Sequence, residues 1–227
     1  MAAMKFFYEQ ALKRSFRWDQ LPYPKTIKRL PVILSQEEVQ GMINAARDLF
    51  QRAILMTLYS TGMRRAELTH LMIGDIDNKR MVLHIRNGKW GKDRDVPLSS
   101  KLLETLREYW RWMKPETYLF PSRYEVRKGL SISPRGVFEI CRSAAQKAGI
   151  IKTVGCHTLR HSYATHLLEA GADLRTIQLL LGHASIKDTT IYLHLSQRHL
   201  HACPNPLDGL AVSDVSGTRR SGRKQPM

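Results

Sequence analysis

The chain reads as a mainly helical domain carrying one small antiparallel β-sheet, an α+β arrangement. Three observations point there. From Ser35 onward the apolar residues recur mostly at helical spacing. Strict alternation is confined to one stretch, Met81 to Arg86, and Asn87-Gly88 with Gly91 then supply the turn that returns the chain along Asp95-Val96-Pro97-Leu98. Apolar residues make up 43% of the 227 residues, enough for a substantial core.

Taken in order, residues 1–30 carry FFYEQALKRSF and then LPYPKTIKRLP. The first resembles the end of an amphipathic helix, and prolines at 22, 24 and 31 exclude regular helix from the second. The expectation is a remnant of an N-terminal domain and its linker over 1–30, a main domain over 31–198, and a mobile or protomer-docking tail over 199–227. Ser35 and Glu38 form a capping box ahead of Val39, Met42, Ile43 and Ala46. Arg52 to Ser60 is apolar enough for a buried helix, Thr61-Gly62 breaks it, and Arg64 to Leu71 starts another. Ser99 to Met113 puts Leu102, Leu103, Leu106, Tyr109 and Trp110 on one face. Ser133-Pro134 opens a helix running to Gly149, with proline in the first turn. His157 to Ala170 and Leu174 to Leu181 are separated by Gly171-Ala172-Asp173. A last helix is expected over Lys187 to Gln197, with Tyr192 on it.

Charge narrows the partner. The 36 Lys and Arg residues against 20 Asp and Glu give a net charge of +16, so a polyanion is expected, nucleic acid ahead of a membrane surface. Cys141, Cys156 and Cys203 are too few and too scattered for a disulfide frame or a zinc site, which suits a reduced, cytoplasmic protein. Met1 to Tyr8 is too short for a signal peptide, and no apolar run is long enough to span a membrane. Nine histidines lack HExxH spacing, the carboxylates form no obvious Mg²⁺ set, and no glycine-rich loop ends in Gly-Lys-Ser/Thr. Neither a metal nor ATP is expected.

Several side chains suit work on a phosphodiester. Arg64, beyond the Gly62 break, can project a guanidinium fork from a helix start, and Glu67 on the same face can hold it. Lys89 and Lys92 lie in the hairpin, where a lysine can protonate a leaving oxygen. His157 and Arg160 share a helix face at i, i+3. His183 follows Gly182 at a helix end, and Tyr192 carries a phenol that can attack phosphorus. Arg65, Arg86, Lys92 and Arg94 are candidate contacts to a nucleic-acid backbone. His161, His166, His194, His199 and His201 read as structural or surface residues. Taken singly, each candidate has an ordinary role as core, helix surface or solvated charge.

Together they do not. Arg64 in TGMRRAEL, His157 and Arg160 in HTLRH, His183 in LLGH and Tyr192 in TTIY stand in the order of the tyrosine recombinases, the phage integrase family. HSYATHLLEAGADLRTIQLLLGHASI resembles the Xer and integron-integrase branch in particular. The resemblance covers residues 34–198 and implies that family's catalytic-domain fold. It implies site-specific DNA cleavage and rejoining through a 3′-phosphotyrosine on Tyr192. Arg64, Arg160 and His183 would bind the non-bridging oxygens, His157 would act as base or positioning group, Lys89 as general acid, and Glu67 in support. Double-stranded DNA and further copies of the chain, four at synapsis, would be the partners. Two departures from the family are expected: at most a remnant of the N-terminal DNA clamp over residues 1–30, and a hairpin reading GKWGK, which leaves Lys92 open beside Lys89. A truncated DNA-binding regulator and a type IB topoisomerase-like relaxase are the other readings.

Overall fold

The computed structural model describes residues 6–13, 30–86 and 93–195, and the chain divides into two units, Met1–Leu30 and Pro31–Met227. In the first, Phe7–Ala11 forms a short π-helical turn with Phe6 and Phe7 exposed. Most of the expected proline-rich connection and all of the expected tail lie outside the described residues.

The second unit opens with α1 (Gln36–Asn44), whose start carries the expected capping box: Ser35 accepts from the Glu38 N–H, and the Glu38 carboxylate accepts from the Ser35 N–H. Asp48 then caps α2 (Leu49–Thr61). This helix is apolar around most of its circumference, with Phe50, Ala53, Ile54, Leu55, Met56 and Leu58 all buried, which marks it as a core element rather than a surface one. A short α3 (Arg65–His70) follows. The strands β1 (Ile76–Asp77), β2 (Val82–Ile85) and β3 (Arg94–Pro97) form an antiparallel sheet in that order, with Leu83 opposite Val96 and Ile85 opposite Arg94. The two-residue β1 was not expected from the sequence.

Helices then dominate: α4 (Ser100–Met113), α5 (Pro134–Lys147), α6 (Cys156–Glu169) and α7 (Leu174–Leu181). Ser99, Ser133 and Asp173 cap three of them through their side-chain oxygens, and Pro134 stands at the first position of α5. On α4 the buried stripe is Leu102, Leu103, Leu106 and Tyr109; Trp110, expected on that face, lies at its edge in the last turn and is 49% exposed. The last expected helix is also corrected. Lys187 to Gln197 is not one α-helix: Ile186–Asp188 and Thr190–His194 are separate 3-10 turns. Hydroxyls compete for the backbone there, with Thr190 Oγ1 donating to the Lys187 carbonyl and Ser185 Oγ accepting from the Lys187 N–H.

Core packing sets the site. Helix α2 packs against α4 and α6, and α6 in turn holds α7 and the turn bearing Tyr192. A second, smaller apolar cluster joins Ala164, Leu168, Ile177 and Leu181 to Tyr192. Cys141 and Cys156 are buried free thiols whose sulfurs lie 3.7 Å apart across α5 and α6. Among the described residues, no helix is long and apolar enough to cross a membrane.

Candidate active site

Two helix ends build the site. Helix α2 stops at Gly62, whose φ of 58° is left-handed and whose N–H bonds back to the Leu58 carbonyl. A Cβ at this position would fall 2.4 Å from Tyr163 and 2.9 Å from Leu181, so only glycine fits the turn. The freed Gly62 carbonyl accepts from Arg160 Nη1 at 2.7 Å. Helix α7 stops the same way at Gly182, with φ 61° and the His183 N–H donating to the Gln178 carbonyl.

The last carbonyls of α7 receive arginines in sequence. Leu180 accepts from Arg94 Nε at 2.7 Å, Leu181 from Arg160 Nη2 at 2.6 Å, and Gly182 from Arg64 Nη2 at 3.1 Å. A helix C-terminus carries orphan carbonyls and the negative end of the helix dipole, which is why it holds cations. Two of the three guanidiniums, those of Arg64 and Arg94, share one carboxylate. Glu67 Oε1 accepts from Arg64 Nη1 and Arg94 Nη1, and Oε2 accepts from the Arg64 N–H and Arg94 Nη2, all within 2.9 Å. Burial pushes the Glu67 pKa up, but the hydrogen bonds and charge of Arg94, joined by Arg64, outweigh it and hold the carboxyl at about 2.

Arg160 is only 4% exposed. Its pKa falls to about 10 through burial and then repulsion from Arg64, which leaves it charged at neutral pH. Three positive groups against one carboxylate leave an excess of two, the balance an anion would meet.

Tyr192 lies beside this cluster. Its ring stacks on His183 with centroids 6.4 Å apart and planes within 9°, and its hydroxyl lies 3.1 Å from His161 Nδ1. At 1% exposure the side chain is buried. Burial raises its pKa, while Arg160 and Arg64 pull it back down. His183 Nδ1 pairs with Thr189 Oγ1 at 2.9 Å. Burial, followed by the charges of Arg160 and Arg64, lowers the His183 pKa to about 4. His161 is lowered to about 4 by burial and then by His157 and Arg160. Both rings are therefore neutral at pH 7. His157, on the exposed side of α6, is also lowered, by the protein around it and then by Arg160, Arg65 and Arg64.

The expected residues therefore meet in part. Arg64, Glu67, Arg160, His183 and Tyr192 converge, and His157 borders them. Lys89 and Lys92 lie outside the described residues. Arg65 is half-buried beside His157, and Arg86 keeps an exposed side chain while its Nε donates to Asp75 at 2.6 Å. Arg94, expected at a nucleic-acid surface, is 9% exposed and engaged with Glu67 and the end of α7. His161, expected to be structural or on the surface, instead meets the Tyr192 hydroxyl; its one available signal was the position four residues after His157, one turn further along α6. His166, read as structural, bonds Tyr59 at 2.8 Å.

Comparison with known proteins shows the family. The model of the phage integrase family matches residues 33–199. Protein y4qK of Sinorhizobium fredii is 44% identical over 92% of this chain and 67% of its own length. The tyrosine recombinase XerA of Pyrococcus horikoshii is 39% identical over 84% of this chain and 69% of its own. A crystal structure of XerA recombinase is similar with a TM-score of 0.69 and 36% identity, over 88% of this chain and 71% of that one. XerH site-specific recombinase, solved bound to difH substrate in a pre-cleavage complex, matches with a TM-score of 0.69 and 26% identity over 88% and 62%. By the extent of these matches and the order of its site residues, the chain belongs to the phage integrase family, the tyrosine recombinases.

Proposed function

We propose that the chain cleaves and rejoins strands of double-stranded DNA at specific sites, with Tyr192 as nucleophile. The observation that carries this reading is the row of three guanidiniums on the end of α7, one carboxylate among them, beside a tyrosine stacked on a neutral histidine. Such a row holds a phosphodiester and opposes the charge that grows on its oxygens as phosphorus is attacked. The phenolic oxygen forms a bond to phosphorus and loses its proton, and the P–O5′ bond breaks with the strand's 5′-oxygen taking a proton. The products are a 3′-phosphotyrosine and a free 5′-hydroxyl. The ester bond is conserved in energy, so another 5′-hydroxyl reverses the step without ATP.

Arg64 and Arg160 bind the non-bridging oxygens in this scheme, and a neutral His183 donates a further hydrogen bond. His157 assists as base or positioning group. Lys89, or Lys92 beside it, protonates the leaving oxygen. Arg65 and Arg86 contact the duplex backbone, in keeping with the net charge of +16. The relative solved with difH substrate supports a nucleic-acid partner. Exchange between two duplexes cuts four strands, each needing its own tyrosine, so the working form is a homotetramer on DNA. The three domain divisions expected from the sequence, and a cytoplasmic setting, belong to the same reading.

Covalent trapping tests it. Nicked duplexes from the flanks of the chain's own gene are incubated with wild type and Tyr192→Phe, then resolved on denaturing and native gels. An adduct in wild type alone supports the tyrosine chemistry. Binding with no adduct overturns it in favour of a DNA-binding regulator.

A further inference from the structure

Arg94 opens β3, directly after the hairpin connection, and its side chain turns inward. Its Nη1 and Nη2 form a fork on both oxygens of Glu67, at 2.9 and 2.8 Å, while Nε donates to the Leu180 carbonyl at 2.7 Å. Glu67 is the group that orients Arg64, through the guanidinium at 2.8 Å and the backbone N–H at 2.7 Å. Arg94 therefore ties three pieces together: the hairpin strand, the carboxylate behind Arg64, and the helix end on which Arg64 and Arg160 rest. The fit is close. A Cβ at Gly182 would stand 3.0 Å from Arg94 Nη1 and 3.2 Å from its Cδ, so the glycine leaves room for the guanidinium.

We infer that Arg94 is a positioning residue for strand cleavage, acting through Glu67 to fix the phosphate-gripping Arg64 rather than touching DNA. This rests on the functional reading above. Two physical points argue for it. A carboxylate with Arg64 alone could swing with that side chain, which is 23% exposed; a second fork from the opposite side pins it. A lysine cannot replace Arg94, because one ammonium does not span both carboxylate oxygens and a helix carbonyl in a planar array.

The test compares wild type, Arg94→Gln, Arg94→Lys, Glu67→Gln and the double variant R94Q/E67Q. Adduct formation on the nicked duplex is followed at saturating protein from pH 5 to 9, with duplex affinity, its salt dependence and thermal melting measured in parallel. Binding of orthovanadate by ⁵¹V NMR supplies a phosphate-site readout that needs no target sequence. The expected result for Arg94→Gln is adduct formation slowed at least 100-fold with duplex affinity changed less than 3-fold. Its activity should also fall off at higher pH on the acid side, because Glu67 loses the partner that keeps it ionised. Arg94→Lys should recover only part of the rate, vanadate binding should weaken at least 10-fold, and R94Q/E67Q should be no slower than the slower single variant.

Weaker duplex binding with a shallower salt slope and an unchanged saturated rate would mean that Arg94 contacts DNA, overturning the inference. A lowered melting temperature with unchanged rate, pH profile and vanadate binding would make it a stability residue only, with the same consequence. A wild-type chain that forms no adduct and binds no vanadate would sink the phosphate-site reading itself, and this inference with it.

Discussion

The hydroxyl of Tyr192 lies 3.1 Å from Nδ1 of His161, on a tyrosine that is 1% exposed. In this arrangement the nucleophile of the proposed reaction is tucked in, and its oxygen must leave His161 before it can reach phosphorus. His161→Phe keeps an aromatic ring but strands a buried hydroxyl, which costs about 1–3 kcal/mol. Urea unfolding should show that loss, while Tyr192-dependent adduct formation should be no slower than in wild type. A variant more than ten times slower would show that His161 takes part in the attack.

Acid should weaken the fold around this tyrosine. His161 and His183 have folded pKa values of about 4, below the ordinary 6.5. Above 6.5 both are neutral, folded or unfolded, and their contribution to stability is complete. As pH falls from 6.5 toward 4, the unfolded chain takes up protons that the folded one refuses, and stability drops. Melting curves between pH 7.5 and 4.5 should show this slope, and the double variant His161→Phe, His183→Phe should lose most of it. An equal slope in both proteins would place the acid sensitivity elsewhere.

Glu67 works in a different pH window. Its folded pKa of about 2 lies below the ordinary 4.5, so its stabilisation is complete above pH 4.5 and disappears as pH falls toward 2. Glu67→Gln leaves Arg64 and Arg94 without their carboxylate, and losing one side of a buried pair costs about 3–5 kcal/mol. Chemical denaturation should show that deficit undiminished from pH 8 to pH 5. A deficit already shrinking across that range would contradict the assignment.

Two glycines separate stability from activity. Gly62→Ala meets a Tyr163 ring carbon at 2.4 Å in a left-handed turn, and the combined strain is expected to cost roughly 2–4 kcal/mol. Gly182→Ala meets the Arg94 guanidinium at 3.0 Å, and that side chain can shift. The expectation is a smaller stability loss for Gly182→Ala, about 1 kcal/mol, with a larger fall in adduct formation per folded molecule. The reverse order would argue that the α7 end is the more rigid of the two.

Elements with local stop and start signals were legible in the sequence. Leu174–Leu181 lies between a capping Asp173 and a left-handed Gly182, and its bounds match the expected helix. The capping box at Ser35 and the proline start of α5 were equally readable. What escaped depends on contacts distant in sequence. Arg94 beside a turn reads as a contact to a nucleic-acid backbone, and nothing near it announces a carboxylate 27 residues upstream. His161 meets Tyr192 across 31 residues through the packing of α6 on the 3-10 turn. That turn was mistaken for an α-helix because its apolar spacing is helical, whereas its hydroxyls bond to nearby main-chain groups.

The acceptors at Leu180, Leu181 and Gly182 are main-chain oxygens, and that has a genetic consequence. Alanine scanning cannot remove a peptide carbonyl, so substitutions at these three positions will report on side-chain bulk and turn geometry, never on the bonds that hold the arginines. Replacing single peptide links by esters would reach them, because an ester carbonyl is a weaker acceptor than an amide. An inheritable mutation can abolish this cradle only by moving the helix end itself.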